Sequence, residues 1–313
     1  MQFLRSLRTS MRPLGVEYAL YAYGAAKGQA KIRPHRASMS AGWRSLDLLR
    51  EKRLIFSISA GRTGSEYLTR LLQALPDTVA FHEPEPAFQR VLRATQRRPE
   101  AAREFLLRYK LPWLARHAEG TIAETSHLVG KGFLEPMVEL GLRPAFIVLR
   151  REPRSVALSY LARYTVPGRT RYGWQFLLEP DDPGVFPLPR WRAFSDYQLC
   201  FWYALEMERR AVLYGDYLQT RGLLYADVTA RELNDPDVFL AMLESLGCRL
   251  ASPQSCDIIS AHATISGKVH NANPRQNQQA RPLEQDEAPV WSALRDHDAQ
   301  AYAAICSRWE MSV

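Results

Sequence analysis

Five consecutive apolar residues, Ala145-Phe146-Ile147-Val148-Leu149, run straight into Arg150-Arg151-Glu152-Pro153-Arg154 and a helix extending through Tyr164. A strand that is apolar at every position needs cover on both faces, as a parallel strand inside an α/β layer structure has. The same alternation recurs along the chain. Leu54-Ile55-Phe56-Ser57-Ile58 reads as a strand, followed by a glycine turn and a helix from Glu66 to Leu75. Tyr67, Leu68, Leu71, Leu72 and Leu75 fall on one face of that helix. Further strands are expected at 78–81, 121–123 and 222–226, and further helices near 133–140, 195–214 and 235–247. The alternation predicts an α/β fold with a central parallel sheet and helices on both faces. In such sheets ligands bind beyond the carboxyl ends of the strands.

Other stretches carry less regularity. Residues 88–118 read as basic helices interrupted by Pro99 and Pro112. Residues 165–193, rich in Gly, Pro, Trp and Arg, read as a long irregular loop, and loops of that length commonly form lids or substrate walls. Ser266 to Arg281 is polar and reads as coil.

The net charge of +8 is unevenly spread. Residues 1–50 hold nine Lys or Arg against Glu17 and Asp47, which leaves 32 basic and 31 acidic residues in the remainder. The chain therefore divides into a basic N-terminal helical extension, 1–50, and a nearly neutral body, 51–313. Leu14, Tyr18, Tyr21 and Ala25 lie at helical spacing after Pro13, and Glu17 with three tyrosines makes the segment too polar for a cleavable signal. It packs on the body, favours an anionic partner such as lipid head groups, acidic glycans or RNA, or stands as a solvated arm. Packing on the body is the first reading of it and peripheral membrane contact the second, and nucleic acid is not expected as a partner. No run of 18 apolar residues occurs. Cys200, Cys248, Cys256 and Cys306 are far apart with no CxxC pair, which fits a reducing, cytoplasmic setting without disulfides or structural zinc.

Two strand-to-helix corners carry chemistry. Ser59-Ala60-Gly61-Arg62-Thr63-Gly64-Ser65 combines glycines that let the backbone fold tightly, two hydroxyls, and a helix N-terminus with its partial positive charge. It is an anion cradle. It is not a Walker A loop, because the closing Gly-Lys-[Ser/Thr] is missing and the cation, Arg62, lies inside the loop. The other corner, Arg151 to Tyr160, sets a guanidinium at a strand end and Ser159 on the following helix, both within reach of a phosphate.

Together these corners resemble the two nucleotide-binding signatures of the sulfotransferase superfamily, over roughly residues 53–250. Gly61, Arg62, Thr63, Gly64 and Ser65 are similar to its 5′-phosphosulfate loop. Arg151, followed eight residues later by Ser159, is similar to its 3′-phosphate motif. The resemblance implies the P-loop-like sulfotransferase fold and, as donor, 3′-phosphoadenosine 5′-phosphosulfate (PAPS; product PAP). It also implies a hydroxylated acceptor, with a carbohydrate or glycolipid the first choice and a tyrosine or small phenol the second. Lys268 resembles the late basic loop that closes on the 3′-phosphate, and Asp227 the family's Tyr-Glu-Asp-Leu strand end.

An alcohol is a poor nucleophile, and a carboxylate within hydrogen-bond reach can take its proton. Glu83 stands 21 residues after Arg62 and begins a Glu-Pro pair, as in the carbohydrate branch that the chain resembles. His127 is the rival base: Thr125-Ser126-His127 resembles the Lys-Thr-His segment of the cytosolic branch, with Glu124 where the lysine would stand. His82 could orient Glu83 or the acceptor. Arg62 and the loop N–H groups can meet the charge that builds on the leaving oxygen, so no metal is required. A P-loop phosphotransferase would instead need a loop lysine and a magnesium carboxylate at a strand end. A nucleotide-binding regulator without catalysis would not need Glu83.

Overall fold

Strands favour β-branched and aromatic residues, and each of the five observed strands contains them. The computed structural model describes residues 26–28, 30–248, 252–266 and 284–311. The helix expected over 14–25, the coil over most of 266–281, and Lys268 lie outside the described residues.

In chain order the described elements begin with α1 (Met39–Arg50), β1 (Arg53–Ser59), α2 (Ser65–Gln73) and β2 (Thr78–His82). Then come α3 (Leu92–Arg97), α4 (Glu100–Phe105), α5 (Leu111–Leu114), β3 (Thr121–Thr125), α6 (Leu134–Glu139) and β4 (Ala145–Arg150). The rest are α7 (Pro153–Leu161), α8 (Arg171–Phe176), α9 (Asp196–Thr220), β5 (Tyr225–Thr229), α10 (Pro236–Ser245), α11 (Ser252–Ile265), α12 (Glu284–His297) and α13 (Ala299–Trp309). The chain divides into two compact units. Among the described residues one takes those within 27–150 and 215–266, the other those at 26 and within 151–214 and 284–311.

The first unit holds the sheet, with order β2-β3-β1-β4-β5 and every pairing parallel. This is the α/β arrangement expected, a central parallel sheet with helices around it. On one face Ile55, Ala123, Ile147, Leu149 and Val228 pack against Leu68, Leu71 and Leu72 of α2 and Phe239 and Leu243 of α10. Period-two alternation turns Phe56 and Phe146 to the opposite face, where their ring centroids lie 6.5 Å apart. Gly42 lets α1 approach the chain at Leu107 closely, since a Cβ there would stand 2.1 Å from the Leu107 carbonyl oxygen.

Two expectations need correction in this unit. The last strand lies at Tyr225–Thr229, three residues later than read, because Gly222 and Leu223 close α9: Gly222 takes φ 59° and Leu223 N–H donates to Leu218 O. Pro99 interrupts the helices of 88–118, but Pro112 does not. A π-helical turn, Leu106–Lys110, leads directly into α5, whose first turn has no need of the missing donor.

In the second unit, residues 165–193 are not irregular throughout. Thr170 caps α8 by accepting from Gly173 N–H, and Val166, Leu177, Leu178, Phe186, Trp174 and Trp191 are all buried. Trp191 Nε1–H donates to Asp181 at 2.9 Å. Those aromatics are core, and their apolar surface explains why so polar a stretch folds. No described helix is long and apolar enough to cross a membrane, and all four cysteines are free.

Candidate active site

The glycine corner follows β1. Ser59 Oγ accepts from Gly61 N–H at 3.2 Å, and Gly61, Arg62 and Gly64 take φ values of 79°, 60° and 96°. Two of those are glycines, to which the left-handed region is open; Arg62 occupies it against a steric cost of about 1–2 kcal/mol. The turn ends at Gly64, where an added Cβ would meet the Ala230 Cβ at 2.7 Å. The first N–H groups of any α-helix lack intrahelical acceptors, and α2 starts here with no side-chain cap. Thr63 is 2% exposed, and its Oγ1 has no hydrogen-bond partner among the described residues. An uncapped helix start beside a buried unsatisfied hydroxyl is chemistry fitted to an anion with several oxygens.

Glu83 and His127 come from the two strands next along the sheet. The Glu83 N–H extends the β2–β3 ladder by donating to Thr125 O at 3.3 Å, and the residue then turns into the left-handed region, φ 47°. That turn brings its carboxylate onto His127, whose Nδ1 lies in direct contact with Glu83 Oε1. The two rival bases are one hydrogen-bonded pair. Glu83 retains 24% side-chain exposure and His127 11%. Burial alone would raise the Glu83 carboxyl, but His127, with a smaller contribution from His82, outweighs it and holds the group at about 2. Burial pushes the His127 imidazole down, nearby Lys131 adds to this, and Glu83 pulls the other way. The consistent state is a neutral imidazole giving its Nδ1–H to an ionised carboxylate.

His82 does not orient Glu83 directly. Its Nδ1 lies 3.1 Å from both Thr125 O and Thr125 Oγ1, so it fastens β2 to β3. Thr125 Oγ1 in turn reaches Ser65 O at 3.2 Å, joining β3 to the start of α2. Sequence reading missed the charges beneath this pair. Lys110, Glu124 and Lys131 are fully buried, and Lys110 Nζ is 3.0 Å from each Glu124 oxygen. A signal was present: Lys110 sits in the apolar stripe Leu107, Leu111, Leu114, where a solvated lysine does not belong.

Arg151 and Ser159 belong to the second unit, Arg151 just before α7 and Ser159 within it, 2% exposed. The Glu152 carboxylate caps α7 by accepting from Arg154 N–H and Ser155 N–H. Arg154 is committed elsewhere, to Glu287. At the end of β4, Arg150 pairs with Asp227 of β5 at 3.0 Å, which gives Asp227 a structural contact within the sheet.

No protein-family model matches the chain, and no curated protein matches it either. Among solved structures it is similar to mouse sulfotransferase SULT7A1 complexed with PAP, at 12% identity and a TM-score of 0.45 over 85% of this chain and 94% of that one. Sulfotransferase STF9 from Mycobacterium avium is similar at the same identity and TM-score, over 87% of this chain and 81% of its own.

Proposed function

We propose that the chain is a sulfotransferase that moves a sulfuryl group from PAPS onto an acceptor hydroxyl. The observation that carries this is the pairing of Glu83 with His127 past the carboxyl ends of β2 and β3, the two strands next along the sheet from the one that ends in the glycine corner. The unsatisfied Thr63 hydroxyl and the uncapped start of α2 support an anionic donor there. When bound, the nucleotide supplies a sulfuryl group whose bond to the 5′-phosphate breaks as the acceptor oxygen bonds to sulfur. Gly61, Arg62, Thr63, Gly64 and Ser65 hold the phosphosulfate end through N–H, hydroxyl and guanidinium donors. Arg151 and Ser159 keep the role that their sequence pattern assigns them, contact with the 3′-phosphate.

Glu83 receives the acceptor proton. It is the more exposed member of the pair and is ionised at neutral pH, so it is always in the accepting form. His127 works from behind, through a neutral Nδ1–H that fixes the carboxylate. As acceptor we propose a carbohydrate or glycolipid hydroxyl: Tyr172, 45% exposed, and the exposed Arg190 remain available for a sugar ring and its acidic groups.

The test is turnover with radiolabelled sulfate donor against a panel of sugars, glycolipids, tyrosyl peptides and phenols. Glu83→Gln should lower kcat by about 10²–10⁴-fold while leaving affinity for adenosine 3′,5′-bisphosphate unchanged. A variant that lost affinity and kept its turnover would reject Glu83 as the base.

A further inference from the structure

We propose that Lys110 is a positioning residue for Glu83, the buried post around which the turn carrying that carboxylate is wrapped. The inference rests on the reading of Glu83 as proton acceptor and adds what holds it in place. Three contacts define the post. The Lys110 ammonium takes both oxygens of Glu124 at 3.0 Å, and Glu124 directly precedes Thr125, whose carbonyl receives the Glu83 N–H. It reaches the carbonyl of Pro84, the residue after Glu83, at 3.5 Å. It also lies 4.5 Å from the centroid of the Phe88 ring and 5.4 Å from that of Trp113, so the loop leaving Glu83 is held at two points. Glu85 clamps the same loop by accepting from Ala87 N–H at 3.0 Å and from Arg90.

A left-handed glutamate persists only where its surroundings over-determine it. Here the residue is tied on its N–H to Thr125, on its carboxylate to His127, and through its neighbour to Lys110. Of these ties only the last involves a fully desolvated charge. A buried ion pair is weak evidence for stability, because an apolar pair of similar volume commonly replaces it without loss. Two buried charges at this turn are therefore explained by the position they enforce.

The experiment uses the full chain in three forms: Lys110→Met, the apolar pair Lys110→Met with Glu124→Leu, and Glu83→Gln. The first readout needs no substrate. Nitrogen-15 spectra of the His127 ring, assigned by comparison with His127→Gln, report whether Nδ1–H still meets the Glu83 carboxylate. In the apolar double variant, with far-UV circular dichroism and melting temperature near wild type, that signature should be lost. Its kcat should fall by about 100-fold, with KM for the nucleotide within about twofold. Should Lys110→Met alone fail to fold, the double variant, which leaves no unpaired charge, carries the test. A double variant that keeps both the imidazole signature and wild-type turnover overturns the proposal. Full turnover in Glu83→Gln instead overturns the assignment of the base, whatever Lys110 does.

Discussion

Among the described residues six non-glycine residues adopt positive φ, and Arg62 and Glu83 are two of them. Backbone strain of that kind persists where the fold insists on a geometry, and it clusters where ligands are handled. Gly64 marks the point at which the insistence is strictest. An alanine there would carry a Cβ at φ 96° and press it against Ala230. Gly64→Ala should cost about 1–2 kcal/mol from the left-handed backbone alone, with the clash in addition, read by urea denaturation. Affinity for adenosine 3′,5′-bisphosphate should fall with it. Pairing the substitution with Ala230→Gly should recover the steric part and leave the backbone part. Full recovery in the double variant would show that the φ angle carries no cost.

At the scale of elements, α7, α9 and α12 meet at one carboxylate. Glu287, 2% exposed, accepts from Arg154 at 2.8–2.9 Å and from the Tyr197 hydroxyl at 2.6 Å. Burial, with Glu287 as hydrogen-bond partner, pushes the Tyr197 phenol well up, so it stays a donor. Removing one partner of a buried pair costs about 3–5 kcal/mol. Arg154 is 34% exposed, so Arg154→Met should fall below that range, at about 2 kcal/mol. Tyr197→Phe should cost about 1 kcal/mol. Equal chemical denaturation midpoints for Arg154→Met and wild type would refute the role given to the pair.

The same elements show where sequence reading succeeds. Strands β1 and β4 were legible because their apolar runs have no other use, and the glycine corner because left-handed turns ask for glycine. The pairing of Glu83 with His127 was not legible. It depends on β2 and β3 being neighbours, and strand order is written in no local pattern. Lys110 and Glu124 escaped for a related reason: charge is read as solvent-facing until a partner is known, and that partner is 14 residues away on a different element. The misplaced start of β5 came from reading Gly222 and Leu223 as strand when they serve the end of α9.

For the molecule as a whole the Glu83–His127 pair sets an acid response. The Glu83 pKa in the fold, about 2, lies below its ordinary value of 4.5, so the unfolded chain binds the extra proton in between. A depressed carboxylate contributes stability that is complete above about pH 4.5 and is lost as pH falls toward 2. Melting temperatures of wild type and Glu83→Gln should therefore differ most above pH 4.5 and converge toward pH 2, with groups remote from Glu83 cancelling in the difference. A gap that stayed constant across that window would show that the carboxylate is not held low.

The order of the strands has a further consequence for synthesis. The partner of β4 on its outer side is β5, which begins at Tyr225, well after β4 ends at Arg150. At roughly 5–20 residues per second, a ribosome completes four strands several seconds before it delivers the fifth. Throughout that interval the nascent chain presents Phe146 to Arg150 as an open, largely greasy edge. A holding chaperone has its opportunity there.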